Sequence, residues 1–381
     1  MKIKTALIIV GTRPEVIKMA PVVAQLKATS GWSVRVCFTG QHEDLGMQML
    51  DWWGIEIDAR CSIMEEHQGL NLLLSKALVA IDAVLEEQAP DIVLVQGDTT
   101  SCLAGAMAAF QRKIPVAHVE AGLRTNNKYA PFPEEINRRL VSRLADIHFA
   151  PTEQNKHALE KEGIPKDQIF VTGNPVIDAL YMCKERIDER SNPEIRQLLG
   201  WLQPEKKTLL VTAHRRENIS HGLSELTEAL LDLVTLHDLQ IVLPVHPNPE
   251  VKAVLEGHLG NSEHIYLSES LGYESFVWLM NYSDILLTDS GGIQEEAPSL
   301  HKPVLVMREE TERTEAVKAG TVALIGMNAE AIKSSVSNLL TNRDAYQEMS
   351  ERVNPYGDGQ AAKKIVAILA GKLNYRYYPK A

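Results

Sequence analysis

The sequence predicts two doubly wound, Rossmann-like α/β domains facing a central cleft. Three observations lead there. The chain has 381 residues, more than one hydrophobic core usually carries. Short apolar runs recur along it, separated by helical patterns. They are continuous rather than alternating, as in parallel strands covered by helices on both faces. Polar and charged residues then crowd directly after these runs, at the strand ends where open α/β sheets bind ligands.

The first series of runs is "ALIIV" (6–10), "VRVCF" (34–38), "DIVLV" (91–95), "PVAHV" (115–119), "DIHFA" (146–150) and "IFVT" (169–172). Amphipathic stretches at 16–28, 70–88 and 102–112 lie between them and read as helices. Residues 181–207 are rich in charge and poor in strand, which places a domain junction near 173–205. The second series is "TLLVTA" (208–213), "IVLPV" (241–245), "HIYLS" (264–268), "DILLT" (284–288), "PVLVM" (303–307) and "VALIG" (322–326). The tail "NPYGDGQAAKKIVAILAGKL" (354–373) reads as a turn and a closing helix. The expected division is 1–172, completed by the C-terminal helix 360–381, and 173–359.

Hydrophobic content of 45% and charged content of 23% describe an ordinary soluble globular protein. A net charge of −11 disfavours nucleic acid as a partner, because a phosphate backbone needs a basic footprint. An anionic small substrate then needs a locally basic cleft. Cys37, Cys61, Cys102 and Cys183 are far apart in sequence, so neither a disulfide framework nor a metal site is indicated. The N-terminal "MKIKTALIIVGTRPE" is a first strand rather than a signal peptide, and no apolar stretch has membrane-spanning length. No membrane association is expected, and the cytoplasm is the expected compartment.

The chemistry-bearing residues follow the strands. "GTRPE" (11–15) follows the first, with Lys18 on the helix behind it. "QGDTTS" (96–101) follows the third and "HVEAGLRT" (118–125) closes the fourth. "PFPEEINRR" (131–139) opens a helix with Pro133 near its first position. The second half adds "TAHRREN" (212–218), "PVHPNP" (244–249) and "ILLTDSGGIQEEAPSL" (285–300). In that last stretch Ser290, Gly291 and Gly292 open a helix with bare backbone, which suits a phosphate. Glu295 and Glu296 follow within about one turn.

Structural explanations compete at each position. Asp98 also suits a helix N-cap. The helix dipole alone favours Glu134 and Glu135 in a first turn. His118, in an apolar strand, suits a core position. His246 is ambiguous, and Arg215 and Arg216 suit a solvated surface. Trp52, Trp53, Met47 and Met49 suit core packing. The functional reading rests on the ensemble of polar residues at so many strand ends. No strand is followed by GxGxxG, which disfavours NAD, and no Walker A or DxD motif is present.

Taken in order, GTRPE, GDTT, HVEAGLRT, PEE-NR, AHRREN, VHPNP and "TDSGGIQEEAPSLHKPVLVMREETER" closely resemble the non-hydrolysing UDP-N-acetylglucosamine 2-epimerases, over nearly the whole chain. The resemblance implies the two-domain fold of GT-B glycosyltransferases and a homodimer. It also implies interconversion of UDP-GlcNAc and UDP-ManNAc without a cofactor, for cell-surface polysaccharide synthesis. The implied route eliminates UDP across C1–C2 to give 2-acetamidoglucal, then re-adds it with protonation on the opposite face.

By the same resemblance, Asp98, Glu120 and Glu134 are the acid/base carboxylates, in no assigned order. His214 and Arg215 meet the departing phosphate. Arg13, Lys18 and Arg313 are binding cations. Ser290, Gly291 and Gly292 hold the diphosphate, and Glu296 accepts from the ribose hydroxyls. Phe276 lies at the uracil, and His246 joins the substrate-binding set. Gln41 and His42 match part of a second, activating UDP-GlcNAc site. There Glu43 reverses the charge of the family's arginine, and Thr314 stands where the family usually has proline. Epimerisation of a 2,3-diacetamido uronate, hydrolysis to free ManNAc, GT-B glycosyl transfer and inactive UDP-sugar binding remain as alternatives.

Overall fold

All twelve predicted apolar runs carry strand, and the reason is visible at their first residues. Three runs begin with Asp, and each of these carboxylates accepts an amide from the neighbouring strand. Asp91 Oδ2 accepts from Thr5 N at 2.8 Å, Asp146 Oδ2 from Val116 N at 2.9 Å and Asp284 Oδ2 from Thr208 N at 2.9 Å. The acid satisfies a donor that the sheet leaves over, and so fixes the register where each pair begins. The computed structural model describes residues 3–65, 68–213, 222–245 and 248–372.

The chain divides into two units, Met1–Ala179 with Tyr356–Ala381, and Leu180–Pro355. Unit 1 runs β1 (Lys4–Val10), α1 (Arg13–Ala28), β2 (Trp32–Phe38), α2 (Glu43–Trp53), β3 (Ala59–Arg60), α3 (Leu70–Gln88), β4 (Ile92–Gln96) and α4 (Thr100–Gln111). It continues with β5 (Val116–Val119), α5 (Glu134–Leu144), β6 (Ile147–Ala150), α6 (Glu153–Lys161) and β7 (Ile169–Val171). Helix α7 (Pro175–Arg186) spans the boundary.

Unit 2 contains α8 (Pro193–Trp201), β8 (Lys207–Thr212), α9 (Gly222–Leu236), β9 (Leu239–Pro244), α10 (Pro249–Leu259), β10 (Ile265–Ser268), α11 (Tyr273–Tyr282) and β11 (Ile285–Thr288). After these come α12 (Gly291–Glu296), β12 (Val304–Val306), α13 (Thr314–Ala319), β13 (Val322–Leu324), α14 (Ala329–Thr341) and α15 (Arg343–Ser350). The last helix, α16 (Ala361–Lys372), belongs to unit 1 and packs on α1.

Both sheets are parallel and doubly wound. Their orders are β3-β2-β1-β4-β5-β6-β7 and β10-β9-β8-β11-β12-β13. In unit 1 the order reverses between β1 and β4, and in unit 2 between β8 and β11. Ligands of such sheets bind outside the strand carboxyl ends at that reversal. The described loops there are GTRPE and GDTT in unit 1 and TDSGG in unit 2. Central strands are apolar on both faces, with Ala6, Leu7, Ile8 and Ile9 fully buried, as helices on both sides require.

One detail differs from expectation. Pro133 is the N-cap of α5 rather than its first residue, so Glu134 opens the helix. The charge-rich junction contains the ordered helix α8, started by Asn192, whose side chain accepts from Glu194 N and Ile195 N at 3.0 and 3.1 Å. Cys37 and Cys61, distant in sequence, are neighbours in space.

Candidate active site

In unit 1 the loop after β1 is organised by a buried carboxylate. Glu15 Oε2 accepts from Gly11 N at 3.0 Å, Thr12 N at 2.8 Å and Thr12 Oγ1 at 2.8 Å. Its Oε1 accepts from Thr99 Oγ1 at 2.8 Å, so GTRPE is tied to GDTT across the sheet reversal. Burial pushes this acid up to about 7, against the four donors that favour its anion. Gly11 is required by close approach: a Cβ there would lie 2.2 Å from both Ser101 Oγ and Thr39 Oγ1. Arg13 and Lys18, on the helix this loop starts, are half-buried.

Gln41 and His42 belong to the same framework. Gln41 Oε1 accepts from Ser101 N at 3.0 Å and Ser101 Oγ at 2.7 Å, and His42 N donates to Gly11 O at 2.7 Å. Burial holds the His42 imidazole below its ordinary value. Glu43 forms an ion pair with Arg60.

Glu120 follows β5 at φ +64°, a left-handed conformation that costs a non-glycine residue roughly 1 kcal/mol or more. Three groups converge on its carboxylate. Lys18 Nζ lies 2.6 Å from Oε1, Asn174 Nδ2 donates to the same oxygen at 3.0 Å, and Gln96 Nε2 donates to Oε2.

Asp98, after β4, is ion-paired with Arg138, and Asn137 Nδ2 donates to its carbonyl at 2.9 Å. Its pKa is raised, first by burial and further by the Glu120 charge, with Arg138 and Lys18 opposing. The structure thus brings Asp98, Glu120 and Lys18 into one electrostatic group. Gln96, Asn137, Arg138 and Asn174 belong to it too. Sequence reasoning assigned none of these four a role, although "PFPEEINRR" contained two of them.

Glu134 and Glu135 separate clearly. Glu135 is fully buried and accepts from Thr125 N at 3.0 Å, Asn126 N at 3.2 Å and Arg139 Nε at 3.0 Å. Burial tends to raise its pKa, but these donors and Arg138 leave it lowered. It holds the 120–135 loop in shape. Glu134 is half-buried, and among the described residues its carboxylate has no hydrogen-bond or ion-pair partner. His118 is fully buried with Nε2 donating to Gly97 O at 2.7 Å, and it pairs in register with the buried His148. Burial keeps both neutral, at about 4 and about 3.

In unit 2, Ser290 caps α12 and Gly291 and Gly292 form its first turn. A Cβ on Gly291 would lie 2.8 Å from Arg313 Cζ and 2.9 Å from its NH1, so the glycine admits the guanidinium against the loop backbone. Arg313 Nε donates to Glu295 Oε1 at 2.9 Å, and NH1 pairs with Glu312. Burial opposes these cations at Glu312, which still lies low at about 2. Gln294 Nε2 donates to Ser290 O at 3.0 Å and its Oε1 accepts from Thr311 Oγ1 at 2.8 Å, bracing the loop further. Glu295 is therefore turned inward to Arg313, while Glu296 is half-buried at the end of α12.

Phe276 is half-buried in α11, its N–H donating to Gly272 O at 2.9 Å. Thr314 is the first residue of α13, a position that proline also fits. His214, Arg215 and His246 lie outside the described residues. Among the described residues no group of three or more His, Cys, Asp or Glu could hold a metal ion.

A profile of the family described as UDP-N-acetylglucosamine 2-epimerase matches residues 24–370. The chain belongs to the UDP-N-acetylglucosamine 2-epimerase family. Within that family it is 47% identical to the UDP-N-acetylglucosamine 2-epimerase of Escherichia coli K12 over 372 residues, covering 97% of this chain and 98% of the relative. The Neisseria meningitidis UDP-GlcNAc 2-epimerase, solved bound to UDP-GlcNAc, superposes with a TM-score of 0.87 at 44% identity, covering 96% and 100% of the two chains. A putative family enzyme from Listeria monocytogenes superposes with a TM-score of 0.90 at 40% identity, covering 100% and 99%. The two doubly wound parallel-sheet domains are those of this GT-B-like family fold.

Proposed function

We propose that this chain interconverts UDP-N-acetylglucosamine and UDP-N-acetylmannosamine by inverting C2 of the sugar. The observation that carries the reading is the carboxylate pair after β4 and β5, within a family match that spans almost the whole chain. Glu120 is ion-paired with Lys18, while Asp98 is pushed up by burial and by Glu120. Two acids whose surroundings differ in this way suit opposite halves of a proton-transfer cycle. In this reading Glu120 takes the C2 proton and Asp98 delivers one to the other face, with Glu134 available as a third carboxylate.

The proposed route expels UDP across C1–C2, leaving 2-acetamidoglucal, and re-adds it after the face is exchanged. The backbone donors of Ser290, Gly291 and Gly292, with Arg313 alongside, suit the diphosphate, which carries the developing charge. Glu296 is proposed to bind the ribose and Phe276 the uracil. Arg13, His214, Arg215 and His246 complete the proposed set, and the route uses no cofactor. The Neisseria meningitidis relative bound to UDP-GlcNAc supports a UDP-sugar as ligand, and a homodimer and a cytoplasmic location are proposed with it.

The test is incubation with UDP-GlcNAc in D2O, followed by proton NMR. Deuterium should enter C2 of both epimers, with slow release of UDP and the glucal. Recovery of both sugars with protium at C2 would overturn the route. Free ManNAc or transfer to an acceptor would replace it with hydrolysis or glycosyl transfer.

A further inference from the structure

Outside the machinery described above, one pair of side chains is placed for chemistry of its own. Cys37 lies in β2, and Cys61 directly follows the two-residue strand β3 at the edge of the first sheet. The strands pair Cys37 with Ala59 and Phe38 with Arg60, so the two cysteines are diagonal neighbours on one face. Their Sγ atoms are 3.6 Å apart and both thiols are free.

The pair is asymmetric. Cys37 is fully buried among apolar residues, whereas Cys61 is half-buried and lines a cavity of about 440 Å³. That cavity has a polar wall of Ser62, Ser75 and Lys76 and an apolar wall of Ile63, Val79 and Ala80. This mixed lining suits a small peptide-like ligand. The contact between the sulfurs, with burial, holds the proton on Cys37, and the same contact lowers the Cys61 thiol against its own burial. An accessible thiol of lowered pKa is the one that attacks.

We propose that Cys61 and Cys37 form a redox-active dithiol site, with Cys61 as the attacking thiol, Cys37 as the resolving thiol, and a low-molecular-weight disulfide as the oxidant. Cys61 thiolate attacks one sulfur of the incoming disulfide. Its S–S bond breaks, one small thiolate leaves, and a mixed disulfide remains on Cys61. Cys37 then loses its proton and attacks Cys61 Sγ, expelling the second small thiol. One external disulfide is reduced to two thiols, and Cys37 and Cys61 are oxidised to one disulfide. The sulfurs must close to about 2.05 Å. That movement falls on the sheet edge, where Ser62 already turns the chain at φ +49°.

The test uses the full chain incubated with glutathione disulfide, then alkylated and peptide-mapped by mass spectrometry. Alkylation should be lost at Cys37 and Cys61 together, with a linked peptide between them, while buried Cys102 and Cys183 remain as in the untreated protein. Cys37→Ser should trap the glutathione adduct on Cys61, and Cys61→Ser should leave Cys37 unmodified. Full alkylation of Cys61 in both the wild type and a folded Cys37→Ser variant would overturn the proposal. So would glutathione on Cys37 in Cys61→Ser. Circular dichroism of each variant separates these outcomes from misfolding.

Discussion

Replacing Glu15 by alanine tests whether one buried carboxylate holds the first switch-point loop. The change strands two buried amide donors, Gly11 N–H and Thr12 N–H, while the Thr12 and Thr99 hydroxyls are able to rotate away. Each stranded amide costs about 1–3 kcal/mol, so the expected loss in unit 1 is about 2–6 kcal/mol. Glu15→Gln keeps an acceptor for both amides and needs only a turned Thr99 hydroxyl, which already accepts from Cys102 N at 3.0 Å. Its expected cost is about 1 kcal/mol.

The two variants also separate in pH. The folded-state value of Glu15 is raised from 4.5 to about 7. Its titration therefore favours the folded state fully below 4.5, and this contribution is lost as pH rises toward 7. The lost amount is about 3 kcal/mol. Glutamine has no such titration, so the relative cost of Glu15→Gln should shrink by up to that amount between pH 4.5 and 7.5. Hydrogen-exchange mass spectrometry across a urea series reads unit 1 separately from unit 2. An alanine variant no weaker than the glutamine variant would refute the hydrogen-bond argument, and a pH-independent glutamine cost would refute the linkage.

Other outcomes follow from the same contacts. Glu120→Gln should lower turnover by about 10²–10⁴ while UDP affinity by calorimetry stays near wild type. Glu296→Ala should weaken UDP binding by roughly tenfold or more, the worth of a hydrogen bond to a charged group, with C2 exchange persisting at saturation. Gly291→Ala should displace the Arg313 guanidinium and weaken UDP by a similar roughly tenfold factor. His118 and His148 have folded values below the ordinary 6.5, so their contribution is present above 6.5 and is lost as pH falls toward 4. Two such histidines outweigh the opposite trend of Glu15, and acid unfolding of unit 1 should be less steep in His148→Phe.

The strands were legible because buried parallel strands are continuous apolar runs, and the leading Asp of "DIVLV", "DIHFA" and "DILLT" marks their starts. β3 escaped because two residues carry no periodicity. α8 was not read from the charge-rich, strand-poor junction, although Asn192 followed by Pro193 is a helix start. At the site, motif residues located Asp98 and Glu120, but not the groups that hold them. Thr12 and Glu15 have capping-box spacing, which was the available signal for Glu15. Helix position alone did not distinguish Glu134 from Glu135, since adjacent helical residues differ by about 100° in direction and only packing selects the inward one; the resemblance alone singled out Glu134. For Glu295 and Glu296 the resemblance gave a role to Glu296 alone, while Arg313, the partner of Glu295, needed the fold.

Unit 2 is a single uninterrupted segment, whereas unit 1 is made of two stretches of chain far apart in sequence. Translation therefore delivers them in an unexpected order. When Pro355 has been added, every residue of unit 2 exists, yet unit 1, begun first, still lacks α16. The face of α1 that packs on that helix stays uncovered until α16, with its buried Ile365, Val366 and Leu369, has been made. Asp178 likewise waits for Ala361 N and Ala362 N, its partners at 3.1 and 2.9 Å. The half that holds the carboxylate pair is thus the last to be completed, and a ribosome stalled before the final helix leaves it open.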